Sequence, residues 1–360
     1  MRNPLILFFI FFFHLGFSQE SQPDNPKVGL VLSGGGAKGL AHIGVLKTLD
    51  SLGVRVDYIA GTSTGAVIGG LYASGYSGKQ LDSIVSSTNF DLLISDEVPR
   101  ESKTFYERKN AEKYTLSLPF DNFKIHLPSS ISRGQNVLNL LSELTLHVSG
   151  VEDFSKLPIP FYCVATDMLI GEEVILDRGN LAQAIAASSA LPTLFQPQIL
   201  DDKLLMDGGI VDNYPIRGLK SKDLDIIIGV DVQSNLLSIE QLESVSNILI
   251  QINNFSAAKE MIGKPELTDI YIKPDVKKYS VVDFENSLKI MQEGHKETNK
   301  YLDQLKSIAE AQGFTKTERK IPNFNEIKIR ALQLLAKVNF KLKNYKKLHQ
   351  SPIYLKLILT

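Results

Sequence analysis

Two kinds of hydrophobic pattern alternate along this chain. Near-continuous apolar runs at Val28-Gly29-Leu30-Val31-Leu32, Val54 to Ala60, Phe161 to Thr166 and Ile226 to Val232 predict buried strands, with shorter ones at Glu173-Val174-Ile175-Leu176 and Lys203-Leu204-Leu205-Met206. Between them, apolar residues recur at helical spacing. Leu40, Ile43, Val45, Leu46 and Leu49 form one such series, Ala66 to Ala73 a small-residue series, Leu81, Ile84 and Val85 a third, and Val137, Leu138, Leu140, Leu141 and Leu144 a fourth. Leu181 to Ala187 predicts a further small-residue helix, and helices are expected around 239–262 and 284–312. Residues 86–135 break the rhythm. There Tyr114-Thr115-Leu116-Ser117-Leu118 and Phe123-Lys124-Ile125-His126-Leu127 read as short strands or a lid.

The N-terminus carries a different signal. Arg2 precedes the run Leu5 to Phe13, and small residues Gly16 and Ser18 precede Gln19, the pattern of a secretory signal peptide over 1–18 cut near Ser18. The run is too short for a comfortable membrane span, and no cysteine follows it to carry a lipid. An uncleaved anchor is the alternative. Residues 19–26, polar and holding Pro23 and Pro26, read as a linker. Apolar content of 43% with 22% charged residues fits a folded globular chain, and a net charge of −1 offers no general attraction to nucleic acid or to an anionic surface. That balance hides an asymmetry: residues 316–360 hold 11 Lys/Arg against 2 Asp/Glu, a net of +9. Cys163, the single cysteine, sits inside a predicted strand and reads as a buried, inert thiol.

Candidate chemistry begins at Gly61-Thr62-Ser63-Thr64-Gly65, between a predicted strand and a predicted helix. A serine at such a turn projects its hydroxyl into the site, and glycines two residues either side remove the Cβ atoms that would collide there. Ser63 is thus a candidate nucleophile; an ordinary glycine turn is the bland alternative. Upstream, Gly34-Gly35-Gly36-Ala37-Lys38-Gly39 joins a strand to a helix. Its Gly34-x-Gly36-x-x-Gly39 spacing satisfies the dinucleotide-binding pattern, but the next strand runs into Gly61-Thr62-Ser63 instead of an acidic residue, and no Gly-Lys-Ser/Thr is present. With Ser63 as nucleophile the same loop supplies backbone N–H groups for a tetrahedral oxyanion. Asp207, before Gly208-Gly209, is a candidate base, although Asp-Gly is also a common turn pair. Histidine offers no obvious partner: His14 lies in the signal, His42 near the glycine loop, His126 and His147 in the irregular middle, His295 on an amphipathic helix and His349 in the basic tail.

Taken together and in order, Gly34 to Gly39, Gly61 to Gly65 and Asp207-Gly208-Gly209 resemble the patatin-like phospholipases, and the bacterial branch with exported members most. Leu40 to Leu46, Leu71 to Tyr76, Ala165-Thr166-Asp167 and Ala187 to Pro192 extend the likeness over roughly residues 27–235. The resemblance implies a three-layer α/β/α sandwich around a largely parallel sheet. It also implies a Ser63–Asp207 dyad without histidine, an oxyanion hole from Gly34, Gly35, Gly36 and Gly39, and structural roles for Gly61, Gly65, Gly208 and Gly209. No metal or cofactor is implied. The implied substrate is a membrane phospholipid or lysophospholipid, with peripheral membrane contact, export to the periplasm, outer membrane or medium, and no nucleic-acid partner. A carboxylesterase or thioesterase on soluble esters, or a catalytically inactive lipid-binding protein linked to secretion, are the rival readings.

Beyond the core at 27–235, residues 236–315 read as a helical remainder of the catalytic domain. Some exported members carry a transport-associated module and a β-barrel there. The last ~40 residues are too few for eight spanning strands of ~9–11 residues each, so no barrel is expected in this chain. For the basic tail at 316–360 three readings stand: a solvated segment, a truncated module opening at Ile327-Lys328-Ile329, or a basic amphipathic membrane-surface segment.

Overall fold

The strand-forming runs assemble into one sheet whose order brings the ends of two distant strands together. A computed structural model describes residues 25–96, 120–121, 124–125, 130, 132–233, 236, 239, 242 and 245–313. The signal segment 1–18, Tyr114 to Leu118, most of Phe123 to Leu127 and the 316–360 tail with Ile327 to Ile329 lie outside the described residues, as do His14, His126 and His349.

In chain order, β1 (Val28–Leu32) leads through the glycine loop and a 3-10 turn (Gly36–Leu40) into α1 (Ala41–Leu52). Next, β2 (Tyr58–Thr62) turns at Ser63 directly into α2 (Thr64–Ala73), and α3 (Gly78–Ser87) and α4 (Phe90–Ser95) follow. A two-residue hairpin, β3 (Phe120–Asp121) with β4 (Lys124–Ile125), stands apart from the main sheet. After α5 (Gln135–Leu144) come β5 (Phe161–Asp167), β6 (Glu172–Leu176), α6 (Leu181–Ser188), β7 (Gln198–Leu200) and β8 (Lys203–Asp207). The described chain closes with α7 (Ile216–Lys220), β9 (Ile226–Val230), α8 (Val245–Glu260), β10 (Ile270–Ile272), α9 (Ser287–Thr298) and α10 (Leu302–Ala311).

The sheet runs β10-β9-β1-β2-β5-β8-β7, with β6 also paired to β5. From β10 to β5 every pairing is parallel, whereas β6, β7 and β8 are antiparallel additions. Register explains the site. β2 pairs with β5 up to Thr62↔Val164, and β8 takes over on the same edge from Ala165↔Asp207, since β6 holds the other edge. Two strands approaching from opposite directions therefore end beside each other, one at Thr62 and one at Asp207.

Alternation along the strands sorts the core into two faces. Val28, Leu30, Leu32, Ile59, Phe161, Cys163, Ile228 and Val230 join the larger cluster with α1, α2, α6, α9 and α10, while Val31, Ala60, Tyr162, Val164 and Ile227 pack with Tyr214, Ile216 and Leu219. Helical layers thus cover both faces of a mostly parallel sheet. Cys163 is fully buried with Sγ 3.6 Å from Ala184 O, and burial pushes its thiol far up. The helical C-terminal part is integral to this core: α9 and α10 bury Ile290, Met291, Leu305 and Ile308, each contributing roughly 1.5–3 kcal/mol. α9 lies so close to α1 that a Cβ on Gly294 would sit 1.9 Å from Ala41 O.

Two elements differ from the hydrophobic pattern. The run from Val54 becomes a strand only at Tyr58, because Val54 N–H caps α1 by donating to Leu49 O and the Asp57 carboxylate accepts from Val28 N–H at 2.8 Å. The helix expected over 284–312 is broken by 3-10 turns at Phe284–Asn286 and Asn299–Tyr301, the latter letting Tyr301 OH donate to Tyr271 O at 2.7 Å.

Candidate active site

Ser63 sits at the strand-to-helix turn with φ 55° and ψ −126°, a conformation that a non-glycine residue adopts only when its surroundings impose it. The surroundings do so on every side. Ser63 N–H donates to Ser188 Oγ at 3.2 Å, and Ser188 Oγ donates onward to Val164 O at 2.6 Å. On the preceding residue, Thr62 Oγ1 donates to Asp212 O at 2.8 Å. Glycine is required at both flanks: a Cβ on Gly65 would lie 2.2 Å from Leu32 O, and one on Gly61 2.5 Å from Gly65 O.

Across the meeting point of the strands, Ser63 Oγ donates to Asp207 Oδ2 at 2.5 Å. The other carboxylate oxygen, Oδ1, accepts from Gly209 N–H at 2.8 Å. Burial pushes the Asp207 carboxyl up to about 6, against the opposing pull of the hydrogen bonds from Ser63 and Gly209. Gly208 lets the turn lie on β5, since a Cβ there would meet Val164 O at 2.2 Å, and Gly209 leaves room for Asn213.

Above the serine, the glycine loop is pinned at both ends. Gly34 N–H donates to Asn213 O at 3.2 Å, Ala37 N–H to Val281 O at 2.8 Å, and Thr64 Oγ1 to Gly36 O at 2.9 Å. Between these ties, the N–H groups of Gly35 and Gly36 have no hydrogen-bond partner among the described residues. They are the anion-binding donors that the loop offers, next to the unpaired first-turn N–H groups of α2. Of the four loop glycines expected to serve together, Gly34 spends its donor on Asn213, and Gly39 is a packing position against Thr64, where a Cβ would lie 2.5 Å from Cγ2.

Among the described residues, histidine stays away from Ser63 and Asp207. His42 holds Ser33 O through Nε2 at 2.8 Å beneath the glycine loop, and burial pushes its pKa down to about 4, so it is a neutral brace. His147 reaches Ser74 O and His295 reaches Thr48 Oγ1. Lys38 is also turned inward, where burial lowers it to about 8 against the raising influence of Asp231.

An apolar slot of about 150 Å³ opens beside Ser63. It passes between Ile68 and Leu71 of α2, Leu81 and Ile84 of α3 and Leu141 and Leu144 of α5; Phe90 and Phe284, which also line it, stack with ring centroids 4.4 Å apart. Its polar lining is limited to Ser63, Thr64, Thr88 and Ser189, and the rest, apart from Gly36, is aliphatic or aromatic. The slot fits an extended hydrocarbon chain whose polar end stops at Ser63.

Three residues that brace this site carry no motif of their own, Asn213, Asp212 and Lys264, and Ser188 joins them from the Ala187 to Pro192 segment. Lys264, just past α8, forms a buried ion pair with Asp212 Oδ1 at 2.7 Å, with side-chain exposures of 1% and 9%. Asp212 also accepts from Tyr214 N–H at 3.0 Å and donates its own N–H to Gly208 O, so it links β2, the Asp207 turn and the helical remainder. Lys264→Met leaves that carboxylate buried and unpaired. The expected cost is about 3–5 kcal/mol in urea unfolding, partly recovered by adding Asp212→Asn; an unchanged urea midpoint would count against a structural role for the pair.

Comparison with known proteins agrees with the geometry. A family model described as patatin-like phospholipase matches residues 30–220. The chain is 28% identical over 305 residues to lysophospholipase nte1 of Emericella nidulans, covering 78% of this chain and 18% of that protein. It is 32% identical over 212 residues to an uncharacterised NTE family protein of Mycobacterium bovis, covering 59% of this chain and 51% of that protein. The chain therefore spans between about a fifth and about half of the length of these curated relatives. Among solved structures, VipD from Legionella pneumophila is similar at 16% identity and a TM-score of 0.45, over 80% of this chain and 69% of that one.

Proposed function

Because the chain belongs to the patatin-like phospholipases, we propose that it is a serine acyl hydrolase that releases fatty acids from phospholipids or lysophospholipids through Ser63, Asp207 and an acyl-enzyme. The observation that carries the reading is the 2.5 Å hydrogen bond from Ser63 to buried Asp207, at the end of an apolar slot.

In this mechanism the acyl chain lies in the slot and the ester carbonyl rests against Gly35 and Gly36. Ser63 Oγ attacks the carbonyl carbon while its proton passes to Asp207 Oδ2, and the charge on the carbonyl oxygen is held by the loop N–H groups. The C–O bond to the alcohol then breaks, and the leaving oxygen takes the proton from Asp207. Water, deprotonated by the same carboxylate, attacks the ester of Ser63; the C–Oγ bond breaks, Ser63 Oγ takes the proton back from Asp207, and the fatty acid is freed. A carboxylate raised to about 6 is a stronger base than an ordinary aspartate and is still ionised at neutral pH. Lysophospholipase is the name carried by the fungal relative, which favours single-chain lipids as substrates. Arg2 and the apolar run Leu5 to Phe13 support export of the chain.

Fatty-acid release from phosphatidylcholine, lysophosphatidylcholine and a short soluble ester tests this proposal. Release from either lipid supports it, whereas cleavage of the short ester alone points to a soluble-ester hydrolase.

The base assignment also predicts a pH dependence. With Asp207 ionising near 6, kcat/KM falls about tenfold per pH unit below that point and levels off above it. The effect on stability has the opposite sense: the folded state holds the proton more tightly than the unfolded chain, so this group's contribution declines as pH rises from 3.8 to about 6. Asp207→Asn should therefore melt at or above the wild-type temperature at pH 7, and a large fall in its Tm would contradict the assignment.

A further inference from the structure

At the end of the sheet where the parallel strands stop, four large apolar side chains face solvent. The turn between β5 and β6 carries Met168, Leu169 and Ile170, which are 43%, 76% and 64% exposed, and Ile199 of β7 is 75% exposed. They form a continuous patch. Ile199 lies opposite Leu204, and Met168 donates its N–H to Leu204 O at 2.8 Å, so the three residues occupy one row across neighbouring strands. Side chains directly opposite one another share a face. Single exposed aliphatics are ordinary, but a row of them extended by a turn is a contact surface.

Position connects this surface to the slot. β5 runs parallel to β2, so its C-terminal turn lies at the same end of the sheet as Ser63. Leu194 and Phe195 line the slot and lead directly into β7. Past the end of β10, slot-lining Val281 and Phe284 alternate with Val282 and Leu288, 55% and 60% exposed. The slot lining thus reaches the same end of the sheet as the turn, while the Met168–Leu204–Ile199 row lies on the sheet's other face. Local charge selects the kind of surface: among the described residues, Glu172, Glu173, Asp201 and Asp202 are exposed around the patch against Lys203 alone, a balance that disfavours an anionic partner.

We propose that this edge seats on the surface of a neutral, zwitterionic lipid aggregate, with Met168, Leu169 and Ile170 inserted and the slot facing the headgroups. The proposal rests on the acyl-hydrolase reading for its purpose, since a lipid tail would enter the slot without crossing water. It is tested independently of turnover. The chain contains no tryptophan, so Leu169→Trp introduces the sole indole, here in a Ser63→Ala background. Asp223→Trp is the reference: its side chain is 95% exposed and paired with Lys27, next to the start of β1 at the opposite end of the sheet.

With phosphatidylcholine vesicles carrying brominated acyl chains, the Leu169→Trp emission shifts to shorter wavelength and is quenched, and that of Asp223→Trp does neither. Equal quenching at both positions, or none at Leu169→Trp, overturns the proposal. So does a lipid-free blue shift that grows with protein concentration, which would mean that a second copy covers the row, or tighter binding to phosphatidylserine vesicles. In the active chain, Leu169→Ser with Ile170→Ser lowers hydrolysis of vesicle lipid about tenfold or more and leaves a soluble short ester within about twofold. A wild-type chain that cleaves no lipid at all removes the hydrolase reading, while the quenching result still decides the docking surface.

Discussion

Ser63→Ala lowers acyl hydrolysis by about 10⁴-fold or more, and Asp207→Asn by a comparable factor, with both variants folded. Alanine removes the slot-lining hydroxyl that donates to Asp207, and asparagine keeps the shape of Asp207 but cannot take up the proton that the proposed mechanism moves from Ser63. In the proposed mechanism both side chains act as one proton-transfer unit, joined by a 2.5 Å hydrogen bond, so the double variant is expected to be no slower than the worse single one. Kinetics on lysophosphatidylcholine with circular dichroism of each variant measure this. Substantial activity in folded Ser63→Ala contradicts the assignment.

Gly36→Ala is the second large effect, and it acts through the backbone alone. Gly36 has φ +57°, and a Cβ there would lie 2.2 Å from Val281 O, which accepts the Ala37 N–H that fixes the loop. The loop must shift to admit the methyl group, and the Gly35 and Gly36 donors move away from the oxyanion position. Loss of about 10²–10³ in kcat with little change in KM is expected, the usual cost of one misplaced oxyanion donor. Gly150→Ala, where nothing lies within 4 Å, is the control and should match wild type. Equal kinetics for the two variants would remove the glycine loop from the chemistry.

What sequence pattern reveals here follows from what is local. Val28 to Leu32 and Ile226 to Val230 read as buried strands because both of their faces are covered by helices. Ser63 is legible because a strand-to-helix turn needs glycines at fixed short distances. Asp207 is less so. Its position depends on β8 meeting the edge of β5 where β2 leaves it, which brings Asp207 against Ser63, 144 residues away, an arrangement that no local spacing encodes. Lys264 and Asn213 are invisible for the same reason: each is an ordinary polar residue until the fold brings it to the site. His42 shows another case: it lies near the glycine loop in the sequence, and full burial and its bond to Ser33 O make it a neutral support beneath that loop. The slot escapes notice because the apolar faces of α3 and α5 follow the same period whether they fill a core or line a cavity.

Trapping the acyl-enzyme tests the Ser63–Asp207 account most directly. The chain is mixed with a long-chain aryl ester, quenched in acid within a turnover, and analysed by peptide mass spectrometry. The account predicts one added acyl group on the peptide bearing Ser63, none in Ser63→Ala, and slow accumulation in Asp207→Asn. An acyl group on a different residue, or full turnover with no adduct at Ser63, would contradict it.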